Sequence, residues 1–261
     1  MKQFTNNSIL IVGGDSLIGS ALADYWREND IPFHASTRHK NRVKNYRPLI
    51  DLNNIGNYQH YKNVIICAGI TNISECENNP EITRKVNVSG TIELIKIFVK
   101  KKAHIIFLSS NQVFDGNCPI QKPNGSRNPT TEYGRQKAKV EMFIDKLSNA
   151  CVLRLTKVIH TELTLLKEWG DNLSSGHPVY AFNDMTLSPI NIYEVIKKID
   201  RLVREQAIGI FQLSGKKDIS YYKFAKKFAK ENGYLLELVK TDSWKNKLQF
   251  TPPLYTSLQN V

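Results

Sequence analysis

Cysteine is scarce in this chain: four among 261 residues, at positions 67, 76, 118 and 151, with no C-x-x-C pair. Thiols so scattered exclude a disulfide framework and a thiolate zinc centre, and suit reduced cysteines in a cytosolic protein. The six histidines show no metal-ligand spacing either, so no metal site is expected. No apolar run approaches the ~20 residues that cross a bilayer. The polar stretch Met1 to Ser8 lacks the apolar core of a signal peptide. A cytoplasmic protein with no membrane partner is the expectation. Internal repeats and low-complexity linkers are absent too.

Acidic residues are outnumbered, 24 against 36 Lys and Arg, leaving a net charge of +12. The basic residues are dispersed, and short runs such as Lys100-Lys101-Lys102 fall on helix ends and turns, where they read as solvated faces. No recognised nucleic-acid module accompanies them, so nucleic acid is not an expected partner. A field that attracts an anionic small molecule is the next candidate.

With 41% apolar and 23% charged residues, the chain can bury a sizeable core. Strand-like runs at Ser8–Val12, Pro32–Ser36, Val64–Ala68, His104–Leu108 and Cys151–Leu155 alternate with helical periodicity at Leu17–Asn29, Pro80–Lys101 and Thr131–Leu147. This βαβα order with continuously apolar strands predicts an α/β fold, a Rossmann-type doubly wound parallel sheet. After Leu155 the pattern loosens into a smaller C-terminal substrate-binding lobe. A helix at Thr161–Asp171, a strand at Pro178–Phe182, a helix Ile192–Arg204 opened by Asn191 and Glu194, a strand in "GIFQLSG" (209–215), and a helix in "SYYKFAKKFAKENG" (220–233) make up this half. The expected division is 1–156 for the dinucleotide domain and 157–261 for the lobe, part of which can return to the sheet.

Three stretches carry chemistry. In "ILIVGGDSLIGSAL" (positions 9–22), Gly13 permits a tight turn after the first strand and Gly19 lets the following helix approach the sheet. Asp15, Ser16, Leu17 and Ile18 lie between them, where the first helical amides and the macrodipole would face a pyrophosphate. Ser16 stands where a glycine is usual. From Ile31 to Ile50 no acidic residue occurs. The carboxylate that would bind a ribose 2′-hydroxyl is therefore missing, and Arg38 could clamp a 2′-phosphate, which favours NADP(H) over NAD(H). Asp51 and Leu52 follow where an adenine would lie. "SSNQVFDG" (109–116) and "YGRQK" (133–137) form the strongest constellation. Tyr133 and Lys137 share one helix face, and Ser110 ends the fourth strand. The lysine ammonium is expected to bring the phenol toward the range where it trades protons.

Together these residues resemble an extended short-chain dehydrogenase/reductase, and within it the dTDP-4-dehydrorhamnose reductase family of sugar-nucleotide reductases. The resemblance runs through "NVIICAGITNISECENNPEITRKVNVSGT" (63–91) and continues, more weakly, through "LSPINIYEVIKKI" (187–199) and residues 209–229. It implies a Ser110, Tyr133, Lys137 catalytic set, with Tyr133 and Lys137 also touching the cofactor. It further implies that Cys67, Ala68 and Gly69 line the cofactor, that Asn87 supports it, and that Thr71, Asn111, Gln112, Val113 and Lys157 meet a nucleotide-sugar substrate. A homodimer is compatible with it. Asn111-Gln112 departs from the family's usual Asp-Tyr, and two neutral amides cannot supply the second acid/base pair that dehydration requires. "RLTKVIH" (154–160) lacks the tryptophan often found near the sugar, and Lys157 could meet a phosphate or carboxylate instead. An NAD(P)-dependent reductase of a keto-sugar nucleotide is the leading expectation. An epimerase and a non-catalytic, NADP-bound regulatory subunit are the alternatives.

Overall fold

The computed structural model describes residues 9–161 and 163–261. The N-terminal octapeptide read for a signal sequence, the Ser8 start of the first strand and Glu162 of the helix expected at Thr161–Asp171 lie outside the described residues.

The chain opens with β1 (Ile9–Val12), α1 (Leu17–Glu28), β2 (Phe33–Ala35) and β3 (Asn63–Ile66). Next come α2 (Ile73–Asn78), α3 (Pro80–Arg84), α4 (Thr91–Lys100), β4 (His104–Ser110), α5 (Glu132–Ile144) and β5 (Ala150–Leu155). The second half contains β6 (Lys157–Ile159), α6 (Thr164–Ser174), β7 (Val179–Phe182), β8 (Thr186–Leu187), β9 (Pro189–Asn191) and α7 (Ile192–Glu205). It ends with β10 (Gly209–Leu213), β11 (Ile219–Ser220), α8 (Tyr221–Glu231) and β12 (Val239–Asp242).

Six strands form one sheet in the order β10-β5-β4-β3-β1-β2, every pair parallel. All residues of β3 and β5 are buried, because helices cover both faces. On one face α1 and α7 pack through Leu22, Trp26, Val195 and Ile199. On the other, α4 and α5 contribute Leu94, Phe98, Val140 and Ile144. The buried Trp26 indole donates to Asp200 Oδ1 at 2.9 Å and ties α1 to α7. Strand order reverses between β1 and β3, and a ligand crevice is expected beyond the strand ends at such a switch point.

The helix expected over Pro80–Lys101 is continuous in space but not uniform. A wide π turn over Lys85–Gly90 separates α3 from α4. The division expected at residue 156 leaves room for part of the second half to return to the sheet. Chain from the second half returns to the sheet as β10, and α7 covers its α1 face. The separate lobe is built from α6, β7, α8 and β12 around Leu166, Trp169, Phe224 and Val239. The physical reason is the apolar stripe of α7, which needs a sheet face to cover it. Asn191 caps α7 as expected, accepting from Tyr193 N at 2.8 Å.

Candidate active site

The turn after β1 is shaped by close approach. Gly13 sits at φ +87°, and a Cβ there would lie 2.7 Å from Ala68 N. Only glycine lets β1 and β3 deliver their loops so near each other. A Cβ on Gly19 would fall 2.2 Å from Gly13 O, so the α1 start also rests on that turn. Ser16 closes the arrangement: its hydroxyl donates to Gly13 O at 2.7 Å and accepts from Gly19 N at 3.1 Å. The serine that replaces the usual glycine is thus the N-cap of α1.

A cavity of about 460 Å³ opens beside this turn, lined in part by Gly13, Asp15, Ser16, Arg38, Asp51 and Leu52. Ala68 and Gly69 also face it, together with Ser36 and Arg42 of the basic segment and with His39 and Asn53, which no motif pointed to. The basic segment is partly neutralised from within. Asp15 accepts from Thr37 Oγ1 at 2.6 Å and from Arg42 at 3.2 Å, and it pairs with Arg47. Partial burial raises its pKa, but the Thr37 bond and the two guanidinium groups outweigh this and hold it below the ordinary carboxylate range. Arg38 stands outside that cluster on the cavity wall. The glycine cradle, the helix N-terminus and the basic wall fit a dinucleotide phosphate chain.

A second cavity of about 310 Å³ contains Ser110, Asn111, Gln112, Tyr133, Lys137 and Lys157. Thr71 lines it too, as do Leu17, Ile18 and Cys67, which the sequence reading assigned to the cofactor. Three expected residues reach neither cavity wall. Val113 is fully buried with Phe114, Ala138 and Leu258, because it ends a tight 3-10 turn, Asn111–Val113, that carries it into the core. Gly19 packs on Gly13, and Asn87 is buried beneath Gly69. Asn87 Oδ1 accepts from Ile70 N at 2.7 Å, and its Nδ2 donates to Gln136 Oε1 at 2.7 Å. It therefore joins the loop after β3 to α5 as a positioning residue. Pro253, Thr256, Met185 and Tyr221 also face this cavity, brought there from the far end of the chain.

Helix α5 is held from several sides. Thr131 caps it by accepting from Gly134 N at 3.1 Å, and Arg84 grips Glu132 with two bonds of 2.6 and 2.8 Å. Tyr133 and Lys137 consequently face the end of β4. Lys137 Nζ donates to Leu108 O at 2.8 Å, and it lies 4.6 Å from the Phe107 ring centroid and 5.8 Å from that of Tyr133. The Ser110 hydroxyl, which donates to Asn111 Oδ1 at 3.2 Å, lines the cavity together with the Tyr133 phenol.

The electrostatics differ from the sequence expectation. Burial, with a smaller contribution from Cys76, pushes the Tyr133 phenol above its ordinary value, and the Ser110 hydroxyl only partly opposes it. The lysine does not dominate because it is itself desolvated, which lowers Lys137 from 10.5 to about 8. The phenol thus keeps its proton firmly, the form a proton donor needs. Burial also raises the Cys67 thiol to about 12, so it is no nucleophile. Between pH about 8 and 10.5 the unfolded chain binds a proton at Lys137 that the folded chain does not. This lysine's contribution to stability therefore rises with pH through that window. Urea unfolding at pH 8 and pH 10 should show this slope, and Lys137→Met should flatten it. An unchanged slope in the variant would contradict the assignment.

Among the described residues no group of three or more His, Cys, Asp and Glu side chains could hold a metal, and no helix is long and apolar enough to cross a membrane.

A glycine cradle at the switch point of a parallel sheet, opening beside a Ser/Tyr/Lys cluster, gives the chain a Rossmann-type fold with a candidate dinucleotide site. The chain belongs to the family described as RmlD substrate binding domain, whose model matches residues 7–260. A "Probable low-salt glycan biosynthesis reductase" of Haloferax volcanii is 28% identical over 65% of this chain, which spans 59% of that relative. Methionine adenosyltransferase 2 subunit beta of Bos taurus is 25% identical over 84% of this chain and 70% of its own length. In fold, the chain is similar to a Bacillus anthracis dTDP-4-dehydrorhamnose reductase solved in complex with NADP. Its TM-score is 0.86 at 18% identity, covering 98% of this chain and 91% of that one.

Proposed function

We propose that this protein is an NADPH-dependent reductase of a keto-sugar nucleotide, of the nucleoside-diphosphate 4-keto-6-deoxyhexose type, working in the cytoplasm in surface-polysaccharide or deoxysugar biosynthesis. The observation that carries this reading is the convergence of Ser110, Tyr133 and Lys137 on one cavity beside the Gly13 cradle. Gly13, Ser16, Arg38 and Asp51 would hold the cofactor. A bound reduced nicotinamide supplies hydride to a carbonyl carbon. Ser110 orients the carbonyl oxygen, and Tyr133 gives it the proton that burial has kept on the phenol. The Lys137 ammonium stabilises the negative charge that develops there. Asn111 and Gln112 supply no second acid/base pair, which sets the reading apart from dehydration.

NADPH oxidation with a panel of nucleotide-linked 4-keto sugars tests this reading. Absence of turnover with all of them, in folded protein that binds NADPH, would sink it. The similarity to methionine adenosyltransferase 2 subunit beta supports a second reading, a cofactor-bound subunit of another enzyme. Stoichiometric co-purification with a partner enzyme would favour that reading.

Arg38 provides a sharper test of cofactor choice. Arg38→Ala should weaken NADPH binding by roughly 1.5–3 kcal/mol, the worth of one hydrogen bond to a charged group, and leave NADH nearly unaffected. Equal losses for both dinucleotides would remove Arg38 from the 2′-phosphate site.

A further inference from the structure

The Ser110–Tyr133 cavity carries a second cation whose purpose catalysis by Ser110, Tyr133 and Lys137 does not explain. Lys157 begins β6, two residues beyond Leu155, and Leu155 lies opposite Ser110 in the β4–β5 register. Its backbone is fixed by pairing with Pro189 on β9. Its side chain is half-buried and lines the same cavity as Tyr133.

Two observations separate this lysine from a solvated surface charge. Among the described residues no aspartate or glutamate lines the cavity; its titratable side chains there are Cys67, Tyr133, Lys137, Lys157 and Tyr221. Lys137 is engaged by the Leu108 carbonyl, whereas Lys157 has no hydrogen bond or ion pair among the described residues. Burial pushes its ammonium below the ordinary lysine range, with nothing nearby to oppose the shift. A desolvated cation without a counter-ion destabilises a fold unless a ligand brings the anion.

We propose that Lys157 binds an anionic oxygen group of the substrate, carried within one sugar ring of the carbonyl held by Ser110 and Tyr133. This inference rests on the keto-sugar nucleotide reading for the placement of that carbonyl. Two sources have this chemistry, a carboxylate on the sugar ring and the diphosphate at its anomeric carbon. A carboxylate on C5 lies beside a 4-keto group and the diphosphate lies across the ring from it, and a 6-deoxy sugar offers the diphosphate alone.

Calorimetric titration of the intact chain with UDP, UDP-glucose and UDP-glucuronate, and with their dTDP counterparts, separates them. Lys157→Met should weaken binding by roughly tenfold or more, as when a close charge pair loses one partner, and Lys157→Arg should restore it. A loss confined to the glucuronate identifies the sugar carboxylate, and an equal loss for all identifies the diphosphate. Affinities unchanged by Lys157→Met overturn the proposal.

A second measurement keeps the two readings separable. Glucuronate or inorganic pyrophosphate alone should protect the Lys157 amine from trinitrobenzenesulfonate, read by peptide mass spectrometry. Protection without binding of any nucleotide sugar retains the anion site and removes the nucleotide-sugar reading. If the wild type binds no nucleotide sugar and neither simple anion protects Lys157, the anion site is overturned as well.

Discussion

Tyr133→Phe should lower turnover of a nucleotide-linked keto sugar roughly a hundred- to ten-thousand-fold, the usual worth of a positioned proton donor. The substitution removes one oxygen and keeps the ring that packs between α5 and β4. The phenol oxygen lines the cavity and, among the described residues, ties no two elements of the fold together, so fold and NADPH affinity should be nearly unchanged. The effect should appear in kcat far more than in KM, because the proton is needed in the transition state and not for binding. Steady-state kinetics with NADPH fluorescence titration checks both halves. A variant with wild-type kcat would show that the proton comes from elsewhere, and retained biological function would favour the subunit reading.

Arg154→Met should destabilise the fold by about 3–5 kcal/mol, the cost of breaking a buried ion pair from one side. Arg154 and Glu141 are both essentially inaccessible, joined by bonds of 2.7 and 3.0 Å. Arg154 also donates to Pro123 O at 2.9 Å and to Gln212 Oε1 at 3.2 Å. Gln212 in turn donates to Gln121 O and Gln259 O, which anchors the C-terminal segment. That segment brings Pro253 and Thr256 to the cavity wall. The variant should therefore lose substrate affinity along with stability, and its C-terminus should become sensitive to protease. Arg127 still faces Glu141 at 2.6 Å, so the carboxylate is not left bare. Urea denaturation measures the loss. A change under about 1 kcal/mol would mean that Arg127 alone compensates.

Much of this was legible in the chain because it is local. The β1 turn, the cap at Ser16 and the i, i+4 pairing of Tyr133 with Lys137 depend on residues close in sequence, whose geometry the helix and strand periods dictate. The structure adds to the sequence pattern where neighbours in space are distant in sequence. Val113 follows two polar residues that face the cavity, Asn111 and Gln112, and only packing with Leu258 shows that it turns inward. Asp15 lines the cavity beside the cradle, and only the fold brings Thr37 and Arg47 onto it. Asn87 gained its role from Ile70 and Gln136.

The direction of the Tyr133 shift is the clearest case. Spacing alone suggested a phenol eased toward ionisation by an ammonium. Burial overrode that, because desolvation penalises both charges before either can help the other. The parallel α/β architecture, the turn after β1 and the shared helix face of Tyr133 and Lys137 thus follow from the residue pattern alone. The sheet position of β10, the walls contributed by the C-terminal segment and the protonation of Tyr133 were decided by folding. They depend on which surfaces exclude water together, and that is a property of the assembled chain.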